Sequence, residues 1–431
     1  MPASPLRPGH ALRGADFTSP LTIPGGEVAG TEVVRELPAE LALTVWQVLR
    51  SVLMWAAEIP AQRGDLFEPR AMEQWERELL EGTFDKELRY PLAVIVGELA
   101  ALESASPEQL AHACLCVTEW GLARNATRTA LAYTEAAALC RPDQPRFAWM
   151  AGRLLRTHGF LREAEQWIKR SVRVAASMGD WETQTLGLNS LGNVFYEAGN
   201  YPMSGRTLRE ALRVARKHRY VQREGEILHD LFVLATWCGK LEEAEQFARD
   251  AYEIYRHGHH RLPALAHDVA VLWMKRGHFS RALFVLRELP AYITAPEERS
   301  RVYAVLARAA AACGHERLFL EAWKEAWDFF EDPIAERRAA PDLVELGLGA
   351  SSLNKWEMAE SALNRALLLA ERTGEADIRI RAETALAAVS ARRVAEHEQS
   401  LSDARLEPEE DRFASGFLLS LQKQEHSAAA A

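Results

Sequence analysis

The stretch that decides the fold is LNSLGNVFYEAGNY, residues 188–201, which sets three asparagines and two glycines into a segment with the apolar spacing of a helix. Residues of these types suit either an active-site loop or the turn of a repeated unit. The rest of the sequence favours the second reading, because the pattern around Gly199 returns at a regular distance along the chain. We therefore interpret the stretch as one copy of a helical repeat.

Six segments, this one included, share the same pattern around a turn residue. They are RTHGFLREA (156–164), YEAGNYPMS (196–204), TWCGKLEEA (236–244), MKRGHFSRA (274–282), the looser AACGHERLF (311–319) and SSLNKWEMA (351–359). The turn residues are Gly159, Gly199, Gly239, Gly277, Gly314 and Asn354, at steps of 40, 40, 38, 37 and 40 residues. Glycine and asparagine enter the left-handed region that ends a helix at low cost. The pattern predicts stacked pairs of helices, and we place an earlier, more degenerate copy at Gly121.

Small residues recur at fixed distances from these turns. Five positions after the turn stand Ala164, Ser204, Ala244, Ala282 and Ala359, where the two helices of a pair would approach closely. Seven positions before it stand Gly152, Gly192 or Gly347. This arrangement resembles the tetratricopeptide repeat, over roughly residues 107–373. The resemblance implies an all-α fold, a right-handed superhelical α-solenoid of helix-turn-helix repeats with a concave groove.

The repeat length is closer to 40 than to 34 residues, which resembles the longer-helix repeats of kinesin light chain and of spindle-orientation adaptors. Three positions depart from the family pattern. Phe232 and Ala307 replace the small glycine of the first helix, and Phe319 replaces the small residue after the fifth turn.

The repeats occupy the middle of five predicted segments. These are a disordered N-terminal arm (1–38), an N-terminal helical cap (39–106), about seven repeats (107–373), a capping helix (374–399) and an acidic, then amphipathic, tail (400–431). Six prolines and little apolar periodicity in the arm indicate disorder.

Composition narrows the classes of function. The net charge of −10 argues against general affinity for nucleic acid or anionic membranes. Five cysteines in apolar helical contexts indicate buried thiols in a reducing compartment, and no apolar leader is present at the start of the sequence, so we expect a cytoplasmic protein. The excess of arginine over lysine is typical of a GC-rich bacterial genome.

No enzyme is predicted, since the sequence contains no phosphate loop, dinucleotide-binding, HExxH or GxSxG motif. We expect no cofactor. A histidine cluster at His257, His259, His260 and His267 allows a zinc or nickel site, but it has no cysteine or carboxylate at ligand spacing. Solvated loop histidines are the favoured interpretation. Any pair of helices resembles a helix-turn-helix DNA-binding motif in sequence. No helix of this chain stands out as a recognition helix.

The resemblance also implies which residues line the groove, because a stripe on the first helix of each repeat faces it in the family. The residues of this chain on that stripe are Arg146, Trp149, Arg153, Arg156, Asn189, Asn193, Tyr196, Glu226, His229, His267, Arg301 and Arg308. Two asparagines one helical turn apart can hold a peptide backbone through amide hydrogen bonds, as a similar pair does in the spindle-orientation adaptors. Arginines can bind carboxylates in pairs of hydrogen bonds. The alternative is that these are simply solvated polar residues.

The leading hypothesis is a non-catalytic adaptor that binds a segment of a protein partner, favouring acidic segments, with no nucleic-acid or membrane partner. The alternative is a regulatory sensor whose repeats bind a signalling peptide or a small ligand and switch a partner protein. A further hypothesis concerns the tail, where acidic residues 407–411 precede Phe413 and Phe417. The tail either occupies the groove as a tethered inhibitor or packs on the last repeat as a structural helix.

Overall fold

The structure is a computed structural model that describes residues 30–101, 104–331, 339–394 and 411–429. Within these ranges every regular element is an α-helix or a short 3₁₀ helix, so the all-α prediction is confirmed. The chain divides into two compact units, residues 1–218 and 219–431. Among the described helices, none is long and apolar enough to cross a membrane.

The part of the first unit that the structure describes contains ten α-helices. Their bounds are α1 (Thr31–Glu36), α2 (Ala39–Ala57), α3 (Pro69–Glu81), α4 (Lys86–Ala100), α5 (Pro107–Ala123), α6 (Thr127–Cys140), α7 (Pro145–Thr157), α8 (Leu161–Met178), α9 (Trp181–Glu197) and α10 (Tyr201–His218). A 3₁₀ helix, Pro60–Asp65, joins α2 to α3. The last six helices form three antiparallel pairs, α5 with α6, α7 with α8 and α9 with α10.

In the second unit, the described residues form ten more α-helices. They are α11 (Val221–Trp237), α12 (Leu241–Tyr255), α13 (Leu262–Lys275), α14 (Phe279–Leu286), α15 (Pro296–Ala312), α16 (Glu316–Phe329), α17 (Ala340–Ser352), α18 (Trp356–Thr373), α19 (Ala376–Ser390) and α20 (Arg412–Ala429). The first eight form four pairs. A 3₁₀ helix, Leu289–Tyr292, follows α14.

The turns between paired helices have the predicted geometry. All six turn residues have positive φ, at Gly159 (83°), Gly199 (74°), Gly239 (70°), Gly277 (80°), Gly314 (75°) and Asn354 (58°). The small residues five positions later are fully buried. These two features, which the sequence showed at a period near 40 residues, make each pair close-packed.

The turn of the earlier copy was placed at the wrong residue. Gly121 lies inside α5, and the left-handed residue between α5 and α6 is Asn125, with φ of 58°. A Cβ on Gly121 would stand 3.0 Å from the carbonyl oxygen of Ala126 and 3.2 Å from the Cβ of Ala130. Gly121 therefore serves close helix packing, and an asparagine makes the turn.

Residues 31–36, which we assigned to the disordered arm, form a packed helix. Val33 of α1 is fully buried in the core of the first unit. The carboxylate of Glu36 accepts hydrogen bonds from the backbone N–H groups of Arg128 and Thr129, each at 2.8 Å, at the start of α6. A carboxylate at a helix N-terminus satisfies unpaired donors there, which explains the ordering of α1. The rest of the arm, residues 1–29, lies outside the described residues, as do residues 395–399 of the capping helix and 400–410 of the tail.

Candidate functional site

The predicted groove residues of the first unit lie on α7 and α9, which contact each other. Trp149 is fixed between them, because its indole N–H donates to the hydroxyl oxygen of Ser190 on α9 at 2.9 Å. The guanidinium carbons of Arg146 and Arg153 lie 5.6 and 5.1 Å from the centre of the Trp149 ring. Both arginines are exposed, and neither forms an ion pair with a described carboxylate. Their charge is therefore available to a ligand.

Asn189 and Asn193 lie one turn apart on α9 and are both partly buried. The side-chain carbonyl oxygen of Asn189 is shielded from solvent and accepts no hydrogen bond from a described residue. A shielded carbonyl without a donor is costly, and a rotation of the side chain that brought this oxygen to the N–H of a ligand would satisfy it. We use the name α7–α9 surface for Arg146, Trp149, Arg153, Asn189 and Asn193.

Tyr196 and Arg156 complete the stripe but are engaged within the unit. The ring of Tyr196 lies 5.9 Å from that of Tyr201, at the start of α10. The guanidinium of Arg156 pairs with the carboxylate of Glu197. Burial raises the pKa of Glu197 even though Arg156 acts to lower it. Arg156, which was predicted to bind a ligand carboxylate, thus already holds one from its own chain.

In the second unit, His229 and His267 share one carboxylate. His229 Nε2 and His267 Nδ1 each lie 2.9 Å from an oxygen of Asp268. Burial acts to raise the pKa of Asp268, but the hydrogen bonds from the two histidines outweigh it and hold that pKa below its ordinary value. The side chain of His229 is only 2% exposed. The structure therefore places His229 in the interior, where its ring packs against those of Phe232 and Tyr255 at 6.0 and 5.9 Å, and not on a ligand-facing surface as expected.

Arg301 and Arg308 also meet carboxylates of their own unit. Glu345 is bound by Arg308 and, at 2.8 Å, by Arg381. Burial opposes ionisation of Glu345, yet the two arginines lower its pKa to about 2. Arg301 lies 4.0 Å from Asp342, whose pKa burial raises to about 6. In the second unit, the positive charges of the stripe arginines are thus largely neutralised by carboxylates of the same unit.

The loop histidines have separate environments. His259 is buried and stacks on Tyr255 with ring centres 4.0 Å apart, and its Nδ1 accepts the backbone N–H of Arg261 at 3.1 Å. His260 is exposed and stacks on His259 at 4.5 Å. Within the described ranges, no three histidine, cysteine or acidic side chains are arranged to hold a metal ion. Because His259 is buried, the interpretation of solvated loop histidines is wrong for that residue.

Sequence reasoning missed the partners of the stripe residues, although one signal points to them. Trp149 and Ser190 are 41 residues apart, His229 and Asp268 are 39 apart, and Arg308 and Glu345 are 37 apart. Each separation is one repeat, because stacking brings equivalent positions of successive first helices together. A search for opposite charges or hydrogen-bonding pairs one period apart would have found them.

No protein family model matches the sequence, and no curated protein matches it. Solved structures are similar to it. The apo form of RapI matches over 76% of this chain and 99% of its own, with 10% identity and a TM-score of 0.51. A Rap conjugation gene regulator of the plasmid pLS20, in complex with the Phr* peptide, matches over 76% and 96%, with 14% identity and a TM-score of 0.47.

A third similar structure is a putative kinesin light chain from Podosopora anserina with nearly identical TPR-like repeats. It matches over 43% of this chain and 95% of its own, with 18% identity and a TM-score of 0.36. The likeness to RapI, together with the helix pairs and their turns, bears on fold alone. The chain has the fold of tetratricopeptide-like helical repeats.

Proposed function

We propose that the protein is a peptide-binding adaptor and that the α7–α9 surface of the first unit holds an extended segment of a partner protein. The observation that carries this proposal is the shielded, unsatisfied carbonyl oxygen of Asn189 beside the fixed ring of Trp149. A buried acceptor of this kind gains a full hydrogen bond when a peptide N–H reaches it.

The chemistry of the surface favours a backbone-reading mode. The side-chain amide of Asn189 offers a donor and an acceptor, which match the C=O and N–H of a peptide unit, and Asn193 lies one turn further along the same helix. Trp149 offers an apolar face to a side chain of the ligand, and Arg146 and Arg153 flank it with positive charge. The surface therefore suits an extended segment with an apolar residue next to a carboxylate.

The internal ion pairs of the second unit restrict where recognition of acidic residues takes place. Arg308 and Arg381 are occupied by Glu345, and Arg301 lies near Asp342. Binding a ligand carboxylate there would require breaking a partly buried pair, which leaves an uncompensated charge. We therefore assign the acidic preference to Arg146 and Arg153.

Binding to selected peptides tests the proposal. Peptides are selected against the full-length protein from a random library, and their dissociation constants are measured for the parent and for Asn189→Ala/Asn193→Ala. The double variant should bind at least about tenfold more weakly, since losing hydrogen bonds to a peptide unit costs about 1–3 kcal/mol. Its melting temperature should stay close to that of the parent.

Asn364→Ala is the matched control, because Asn364 is an exposed asparagine on α18, the second helix of its pair. This variant should bind like the parent. Equal affinity of the double variant and the parent for every selected peptide would rule out the α7–α9 surface. A peptide that binds the parent and changes its association with another protein would favour a sensor over an adaptor.

A further inference from the structure

The last helix, α20, lies outside the series of helix pairs. It packs against α13 and α14, in the middle of the second unit. One of our two expectations placed the tail on the last repeat instead. Its place there follows from the length of α14, which spans eight residues, whereas α12, α16 and α18 span 15, 14 and 18. A short second helix leaves the apolar side chains of its neighbours uncovered, and α20 covers them.

The apolar contacts of α20 are made by aromatic side chains one turn apart. The rings of Phe413 and Phe417 lie 5.3 and 4.7 Å from that of Tyr252 on α12, and Phe413 lies 6.0 Å from Trp273 on α13. A Cβ on Gly416 would stand 2.5 Å from the Tyr252 hydroxyl, so the helix backbone approaches this ring closely. The contacts thus require aromatic residues at i and i+4 with a small residue between them.

Polar contacts fix the direction of α20. Asp411 accepts the N–H of Phe413 at 2.9 Å, which caps the helix, and it pairs with Arg281 on α14. The Tyr252 hydroxyl lies 3.2 Å from that of Ser420. Near the other end, Gln424 donates to the backbone oxygen of His259 at 3.2 Å.

The groove is cationic as well as aromatic. We define the α12–α14 groove by Arg249, Tyr252, Trp273 and Arg281. The guanidinium carbons of Arg249 and Arg281 lie 4.6 Å from the Phe413 ring and 4.1 Å from the Trp273 ring. The buried indole N–H of Trp273, beside Phe413, has no acceptor among the described residues. An occupant that brought an acceptor to it would gain a hydrogen bond that α20 does not make.

We infer that the α12–α14 groove is a second docking site, one that takes an amphipathic helix of a partner protein, and that α20 is its tethered occupant. The partner helix carries an acidic residue at its N-terminus, aromatic residues two and six positions later, and a small residue between them. This chemistry complements the two arginines and two aromatic rings of the groove. The site is separate from the α7–α9 surface and does not depend on the function proposed for it.

The tether sets the condition for exchange. Because α20 belongs to the same chain as the groove, its effective concentration there can reach the order of millimolar. A second copy of the chain at micromolar concentration would compete poorly against it, so exchange of α20 between copies is disfavoured. A partner helix that binds more tightly than α20 displaces it.

A labelled peptide of residues 409–429 serves as the probe for this groove. It is titrated into the full-length parent and into full-length Phe413→Ser/Phe417→Ser, whose own α20 is weakened while the groove is intact. The variant should bind the peptide at least about tenfold more tightly than the parent, because the tethered competitor is removed. A peptide with the same two serines is the control and should bind neither protein.

A charge exchange tests the site without altering its apolar contacts. In the tail-weakened protein, Arg281→Asp should lower the affinity for the peptide, and the peptide with Asp411→Arg should restore it in part, because the reversed ion pair forms but the cap of the helix is lost. Absence of peptide binding to the tail-weakened protein would overturn the proposal. So would loss of the folded second unit in that protein, which would make α20 an integral part of the core, or a dimer in the parent, which would identify the occupant as a second copy.

Discussion

At the scale of single residues, the turn residues show where backbone conformation alone dictates the amino acid. A Cβ added to Gly199 or Gly239 would meet nothing within 4 Å, so space does not require glycine there. The positive φ values of these residues, 74° and 70°, are what favour glycine. L-residues with branched side chains enter this region at a cost, while asparagine does so more easily, as Asn354 with φ of 58° illustrates.

Replacing a turn glycine should therefore destabilise the fold through strain alone. Gly199→Val and Gly239→Val should each lower the free energy of unfolding by about 1–3 kcal/mol, measured by urea denaturation. Gly199→Asn is the control, and its free energy of unfolding should fall much less. Valine variants as stable as the parent would show that these residues do not make the turns.

A second prediction at this scale concerns the buried imidazole of His259. Burial, and then the neighbouring charges of His260 and Arg261, lower its pKa from 6.5 to about 4. Glu226, 3.8 Å away, is the facing carboxylate. Because the folded-state pKa is the lower one, the unfolded chain binds the proton more tightly, and stability falls as pH decreases from about 6.5 to about 4.

His259→Asn removes this titration while keeping an acceptor for the N–H of Arg261. The variant should lose about 1–3 kcal/mol less stability than the parent between pH 7 and pH 4, whatever its stability at pH 7. The measurement is the free energy of unfolding as a function of pH. Parallel curves for the two proteins would mean that His259 is not held neutral by the fold.

At the scale of helices, several pairs meet at a glycine, a position without a side chain. A Cβ on Gly192 would lie 2.6 Å from the side chain of Leu208. One on Gly152 would lie 2.4 Å from Ile168 and 3.0 Å from the backbone oxygen of Ala164. A flexible side chain can move aside, but backbone cannot. The two glycines therefore differ in what they tolerate.

We predict that Gly192→Ala costs about 1–3 kcal/mol and that Leu208→Ala in the same chain relieves part of that cost. Gly152→Ala should cost more than Gly192→Ala, and Ile168→Ala should relieve a smaller share of that cost, since the contact with the backbone oxygen of Ala164 persists. The four single variants and the two double variants are compared by thermal unfolding. Additive effects of Gly192→Ala and Leu208→Ala would contradict the close approach.

The helix scale also shows how far sequence reasoning reaches. The turn residues and the glycines seven positions before them were predictable, because both follow from backbone geometry that repeats with the period. The short α14 and the return of α20 were not, because they depend on packing between segments distant in sequence. Gly121 was misplaced for a related reason, since glycine serves close packing as well as turns.

At the scale of the whole molecule, the fold follows from the repeat, while function depends on which polar groups are left unpaired. The stripe on the first helices was predictable as a set, yet its internal partners were not. Arg156, His229 and Arg308 are paired with Glu197, Asp268 and Glu345, which single-helix periodicity does not reveal. The candidate site is consequently smaller than the stripe and centres on the first unit.

The central claim is that Asn189 binds the backbone of a peptide ligand. The most direct test is the affinity of a selected peptide whose amide nitrogens are methylated one at a time, measured with the parent and with Asn189→Ala. We predict one position where methylation weakens binding to the parent at least about tenfold but changes binding to the variant less than about twofold. Equal losses for both proteins at every position would contradict the claim.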